Sequence, residues 1–225
     1  MAANLRYPAP IWNITYKLSL RDLPEMFLER GFVFTHEAVR KWEAHLAPVL
    51  SETLRKHRRG RCGSRWYVDE TFLKVKGRLV YLYRAIDREG NLVDVLLSEK
   101  RNKAAEAFFR SARTVIGQTP EKVTNNGHDV YPGAIKATLG QAVRHRTSRY
   151  LNNHLEQDHR GIKQRIRPMG GFKRVESAQR FCRAHEEVRN FLRPRSHRNE
   201  VISLAPRRLL YTARTHVFLT SLAAA

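Results

Sequence analysis

Asp69 and Glu70 stand side by side inside Arg65-Trp66-Tyr67-Val68-Asp69-Glu70-Thr71, a run that otherwise reads as a strand. A carboxylate inside such a strand needs a compensating charge, because burying it alone is expensive. Divalent cations supply that charge, since Mg²⁺ prefers hard oxygen ligands. A pair of metal ions can clamp the attacking and leaving oxygens of a phosphodiester. Neighbouring strand residues face opposite sides, so only one of the two acids faces any one site. One of Asp69 and Glu70 is then the candidate ligand, and the other its neighbour on the opposite face. Further along, Glu156 is followed seven residues later by Lys163, two helical turns on and therefore on the same helix face.

Composition points to a polyanionic target. Lys plus Arg number 42 against 21 Asp plus Glu, a formal net charge of +21 and a pI near 10.8. Nucleic acid is the first expectation from such a balance. An anionic membrane surface is second, but no strongly apolar, basic amphipathic helix stands out. Cys62 and Cys182 lack a CxxC spacing, which argues against a zinc site and a disulfide framework. That usage fits a reducing compartment, so the expected location is the cytoplasm, on the nucleoid. Arg6, Pro8 and Pro10 interrupt any signal-peptide core. No apolar run approaches the ~20 residues of a membrane span. The 10 histidines show no metal-ligand spacing such as HExxH.

The elements that must position these residues fall into two groups. Ser19 can cap a helix carrying Leu20, Leu23, Phe27 and Leu28 at helical spacing. Gly31 turns the chain, and Thr35 caps a helix expected to run through Leu46, with Ala38, Val39 and Trp42 inside. His36, Glu37, Arg40 and Lys41 then lie outside. This is the pattern of a helix-turn-helix, with His36, Arg40 and Lys41 as candidate DNA contacts. An ordinary helical hairpin reads the same way. Pro8 and Pro10 are expected to break any early helix, and Pro48 to end the second one before a short helix around Val49–Leu54. The run Arg55-Lys56-His57-Arg58-Arg59-Gly60-Arg61 reads as a solvated linker or a backbone-crossing segment.

From Arg65 the chain changes to strands: Trp66–Val75, Leu79–Ile86 and Leu92–Leu97, joined by short glycine-containing turns. A helix capped by Asn102 follows, with Phe108 and Phe109 on its buried side. Then come a short strand around Lys122–Thr124, a helix over Tyr131–Leu139, a strand over Ala142–His145 and a helix from Asn152 to about Ile166. Three antiparallel strands, then helix, strand, helix, strand, helix, is the order of a ribonuclease H-like α/β domain. The expected architecture is that mixed sheet with flanking helices, preceded by a small all-α helix-turn-helix region. The division is residues 1–61 for DNA binding and linker, 62–195 for the catalytic domain and 196–225 for a tail.

Within that order the segments become specific. Trp66-Tyr67-Val68-Asp69-Glu70-Thr71-Phe72-Leu73-Lys74-Val75 resembles the first motif of bacterial insertion-sequence transposases of the DDE type. So do Tyr81–Asp87 and the long run from His145 to Lys163, with its Asn152-Asn153 pair and Glu156. The resemblance spans roughly residues 18–195. It implies a transposase that binds insertion-sequence ends and cleaves and transfers DNA strands with Mg²⁺, for which Mn²⁺ can substitute. It implies Asp69 as the first acid, Glu156 as the third, and Lys163 as a contact near the scissile phosphate. Arg160 and Arg165 belong to the same basic stretch and suit DNA backbone contacts. The implied partners are double-stranded DNA, as element ends and target, and a second copy of the chain or more.

At the second acid the sequence departs from the family. The pattern has aspartate directly before Gly127, and this chain has Asn126. Asn126 therefore takes the second metal-ligand and catalytic position with an amide in place of a charge. The alternative implied is an impaired copy that only binds DNA. Asp129, three residues on, is too displaced to serve. Asp87, Asp94 and Asp158 read as turn or surface acids, and His145, His154 and His159 as phosphate contacts or exposed residues.

Overall fold

A computed structural model describes residues 8–101, 103–148, 153–193 and 203–223, without the side chains of 8–11, 153, 154, 156–158, 218, 219 and 221–223. Asn102 and Asn152, read above as helix starts, lie outside them. The chain opens with α1 (Pro8–Thr15), α2 (Asp22–Leu28) and α3 (His36–Lys56). Pro8 and Pro10 begin α1 where they were expected to break it. They fall in the first turn, whose N–H groups have no acceptor within the helix to lose. The Ser19 hydroxyl accepts from the N–H of Asp22 at 3.2 Å, and the Asp22 carboxylate accepts from the N–H of Ser19 at 2.6 Å. Thr35 caps α3 as its sequence predicts, accepting from the N–H of Ala38 at 3.2 Å. Gly31, at φ +76°, makes the left-handed turn between α2 and α3. Leu23, Phe27 and Val39 form a small core here, ringed by Trp12, Phe34 and Trp42.

α3 does not end at Pro48. It runs on for 21 residues with Pro48 inside it. The missing N–H leaves one helical bond unmade, and burial beyond the proline outweighs it. Leu50 and Leu54, with Ala47, pack on Phe181, Ala184, Val188 and Leu192 of the later helix α7 (Val175–Leu192). The basic run over residues 55–61 is solvated at Lys56, His57, Arg59 and Arg61, as expected, but Arg55 and Arg58 turn inward. Arg58 is 5% exposed and donates to the carbonyls of Leu92 and Val93 and to the Glu187 carboxylate at 2.8 Å. Arg55 holds Asp94 at 2.9 Å and Ser111 at 2.7 Å. Asp94 is thus fully buried, not a surface acid. Asp87 does take a turn role, accepting from the N–H groups of Glu89 and Asn91.

Five strands build the sheet: β1 (Arg65–Val75), β2 (Arg78–Asp87), β3 (Leu92–Ser98), β4 (Lys122–Asn125) and β5 (Arg144–Thr147), in the order β3-β2-β1-β4-β5. β1, β2 and β3 pair antiparallel; β1 with β4 and β4 with β5 pair parallel. β5 starts two residues later than its sequence predicts. α4 (Ala104–Ile116) and α5 (Val130–Leu139) cover one face through Trp66, Val68, Tyr83, Phe108, Phe109 and Tyr131. α6 (Asn153–Ile166) and α7 cover the other, where Ile162, Ala178 and Cys182 meet Leu73, Val75, Leu82 and Leu97. The architecture is the expected mixed, ribonuclease H-like sheet with flanking helices. α8 (Leu204–Ala223) lies outside, its Tyr211 against the α3–α7 cluster. No described helix is long and apolar enough to cross a membrane.

Candidate active site at the β1–β4 edge

The even residues of β1 point to α4 and α5, and the odd ones to α6 and α7. That alternation places Asp69 under α6 and Glu70 on the opposite face. Each acid has its own compensation. Glu70 is held by Arg101, whose Nε donates at 2.7 Å with a second bond through the other guanidinium nitrogen. Tyr131 and Tyr83 stand nearby. Burial, reinforced by the Glu70 charge, pushes both phenols above their ordinary range. The proximity of a charge does not make Glu70 a ligand of the Asp69 site, since the sheet lies between them.

Asp69 is 5% exposed. Its Oδ1 accepts two hydrogen bonds, from the N–H of Glu70 at 2.9 Å and from Nδ2 of Asn126 at 2.8 Å. The strand register explains the second. Tyr67 pairs with Thr124 in the parallel β1–β4 ladder, so two residues further on Asp69 comes level with Asn126. Beyond Asn125 the chain turns sharply, with the N–H of Gly127 donating to Asn125 Oδ1 at 2.9 Å. Gly127 sits at φ +96°, and a Cβ there would fall 2.7 Å from the Thr147 methyl. Only glycine fits that position, and the turn it makes presents residue 126 to Asp69. Across β1–β2, Asp69 pairs with Arg84, whose Nε donates to Glu186 at 2.7 Å.

The residue that sequence reasoning missed is His159. It is 6% exposed, not solvent-facing, and its Nδ1 lies 3.7 Å from Asp69 Oδ2. Its only signal in the sequence is position: three residues after Glu156, hence one turn along the same helix. Glu156 lies on α6, and its side chain is outside the described residues. The contact of His159 nevertheless brings this part of α6 beside Asp69. Lys163 is exposed, with Nζ 4.8 Å over the ring of Phe72 on β1. Arg160 is exposed. Arg165 is not with Lys163. It is partly buried on the side of α6 toward α7, where burial and the nearby Arg189 cation lower its pKa. Asp129 is exposed at the start of α5, and no described contact links it to Asp69. His145 is linked to Asn125 at 3.0 Å, and burial lowers its pKa. His36, Arg40 and Lys41 sit together at the outer start of α3. The Glu37 carboxylate lies between two of them, 2.6 Å from Arg40 and 3.3 Å from His36.

Among the described residues no three His, Cys, Asp or Glu side chains converge. The described oxygen donors are the Asp69 carboxylate and the Asn126 carboxamide. The amide turns its NH₂ toward Asp69, so its oxygen must rotate by half a turn to join a shared cation. With Glu156 on the adjacent helix, the set is hard oxygen throughout and suits Mg²⁺ or Mn²⁺, one negative charge short of three carboxylates.

Comparison with known proteins identifies the family. Residues 63–195 match a family model described as a DDE domain. The transposase for insertion sequence-like element IS431mec of Staphylococcus aureus is 36% identical over 158 residues, covering 68% of this chain and 70% of that one. The transposase for insertion sequence element IS257 in transposon Tn4003, also of Staphylococcus aureus, matches to the same extent. Among solved structures, the HTLV-2 integrase catalytic core domain in complex with magnesium superposes with a TM-score of 0.41 at 13% identity, over 68% of this chain and 99% of that one. By its matched domain and its relatives, the chain belongs to the DDE-type transposases of bacterial insertion sequences.

Proposed function

We propose that the protein binds the ends of its own element and carries out metal-dependent cleavage and transfer of DNA strands. The observation that carries this reading is the meeting of Asp69, residue 126 and the Glu156-bearing helix at one sheet edge, through the 2.8 Å Asn126 contact and the 3.7 Å His159 contact. Asp69, Asn126 and Glu156 would hold Mg²⁺ or Mn²⁺. When bound, the metal would polarise the scissile phosphate and lower the pKa of the attacking water or 3′-hydroxyl. Asp69 is fixed for such a role by the N–H of Glu70, and His159 closes its flank. Lys163, on the same helix and above Phe72, would meet DNA phosphates, with Arg160 near it on the exposed side. His36, Arg40 and Lys41 form the end-reading surface, so residues 1–61 serve recognition and 62–195 catalysis. The working form is a dimer or larger on paired DNA ends, at the nucleoid.

A second reading has its own observation. The Asn126 amide donates to the very oxygen that a metal ion would take, so the site is satisfied without one. In that reading this copy binds ends but cleaves poorly. One experiment separates the two: end-sequence DNA with Mg²⁺ or Mn²⁺, given to the protein and to Asn126→Asp. Cleavage by the unaltered chain removes the impaired reading, and cleavage by Asn126→Asp alone establishes it. Inactivity of both counts against the site assignment.

A further inference from the structure

The end of β1 beyond Glu70 carries side chains that the core does not use. Phe72 is 53% exposed. An isolated exposed ring needs no explanation, but this one belongs to a patch. It pairs across the sheet with Tyr81, and the next pair on the same face, Lys74 and Leu79, is exposed as well. Tyr81 is half-buried at the border of the core under α4 and α5. β4 pairs with β1 over residues 65–67 and stops short of Phe72. Lys163 reaches across that edge from α6, with Nζ 4.8 Å from the centre of the Phe72 ring. On the other flank the Arg101 guanidinium lies 5.4 Å from the centre of the Tyr81 ring while holding Glu70. The surface therefore runs cation, ring, ring, cation, and Glu70, the acid that β1 contributes to this face, is already compensated.

Exposed aromatic faces interleaved with cations suit a nucleic-acid strand whose bases are unpaired: the bases stack on the rings and the phosphates meet the cations. Bases inside a duplex are stacked on one another and offer no such faces. An apolar protein surface here would take Lys74 and Lys163 out of water without supplying a charge. We propose that Phe72 and Tyr81 form a stacking platform for the unpaired bases of a DNA strand, with Lys74 and Lys163 at its phosphates. Arg101 is a positioning residue, packed over Tyr81 and anchored by Glu70. Phe72 stands three residues along β1 from Asp69, about 10 Å at strand spacing. Lys163 lies two turns along α6 from Glu156, so the platform borders the candidate site. That the strand is one released at the element's end rests on the proposed function. The stacking itself needs neither metal nor cleavage.

The test uses the full chain without metal and two labelled probes read by fluorescence anisotropy: a short oligothymidylate and a duplex of equal length. The salt concentration is set high enough to suppress non-specific phosphate contacts. Two variants are compared with the unaltered chain. Phe72→Leu keeps the apolar bulk and removes the ring, and Phe72→Trp keeps a ring. Phe72 is more than half exposed, so neither change opens the core. We expect Phe72→Leu to weaken oligothymidylate binding about tenfold, the loss of one base stack, and to leave duplex binding unchanged. Phe72→Trp should bind the oligothymidylate at least as tightly as the unaltered chain. Equal oligothymidylate affinity in Phe72→Leu and the unaltered chain overturns the proposal, as do equal losses in both variants or on both probes. A changed oligomeric state of Phe72→Leu in sedimentation, with oligothymidylate affinity unchanged, would give this face to a second copy of the chain and also overturn it. If this contrast holds while neither the unaltered chain nor Asn126→Asp cleaves DNA, the platform stands and the catalytic reading fails.

Discussion

Asn126 is where a single atom decides most. Its Nδ2 and a carboxylate Oδ would occupy the same place, and one satisfies Asp69 while the other repels it. Asn126→Asp is therefore expected to have two effects of opposite sign. Without metal it removes the 2.8 Å bond to a buried carboxylate and sets two acids together, destabilising the fold by about 1–3 kcal/mol in denaturant unfolding. With Mg²⁺ it regains that loss, and strand cleavage rises by on the order of 10²–10⁴. Equal Mg²⁺-induced Tm shifts in both proteins would refute the role given to residue 126. His159 invites the same question from the other oxygen of Asp69. Glu70, one residue away, is expected to be indifferent to metal, because Arg101 already compensates it.

At the scale of elements, the long helix α3 ties the region proposed to read DNA to the sheet that carries Asp69. Its C-terminal cations are buried among acids: Arg58 with Glu187, and Arg55 with Asp94. Arg58→Met leaves Glu187 buried without its partner and is expected to cost about 3–5 kcal/mol in denaturant unfolding. The pH dependence of that loss has a definite sign. Burial pushes the Glu187 carboxyl up from 4.5 to about 7. A group whose pKa is raised on folding contributes fully below its unfolded value and loses that contribution as pH rises through its folded one. The variant should therefore be nearer to the parent at pH 5 than at pH 8, and a loss unchanged across that range would refute the pairing. At the other end of α3, Arg40 is already engaged by Glu37 in the free protein. Arg40→Ala is expected to weaken end binding by about 1–3 kcal/mol if it reads a base, or to lower the salt slope by about 1 if it meets a phosphate. Unchanged affinity across a salt series would remove α3 as the reading helix.

For the whole molecule, a net charge of +21 is large enough that binding to any duplex should fall steeply with salt. The charge is not evenly available, however. Arg55, Arg58, Arg84 and Arg101 are spent on buried or half-buried acids, while Lys41, Arg160 and Lys163 face solvent. On α6 likewise, His159 is buried against Asp69 while Arg160 and Lys163 face solvent.

The sequence by itself carried the family, the strand order and the place of Asp69, because those are written in local alternation, turn glycines and motif spacing. It also carried the Thr35 cap and the substitution at Asn126. It misread Pro48, and Arg55 and Arg58 within the basic run, since a proline's penalty and a charge's exposure depend on what packs beyond them. Leu50 and Leu54 against α7, and Arg58 among Glu187 and two carbonyls, outweigh those local preferences. Only the tertiary structure decided what Asn126 does. The parallel register of β4 beside β1, set by residues 122–124, points its amide at Asp69. It likewise buried His159 against that carboxylate and divided Lys163 from Arg165, because the side of a helix that meets the sheet is fixed by packing and not by spacing.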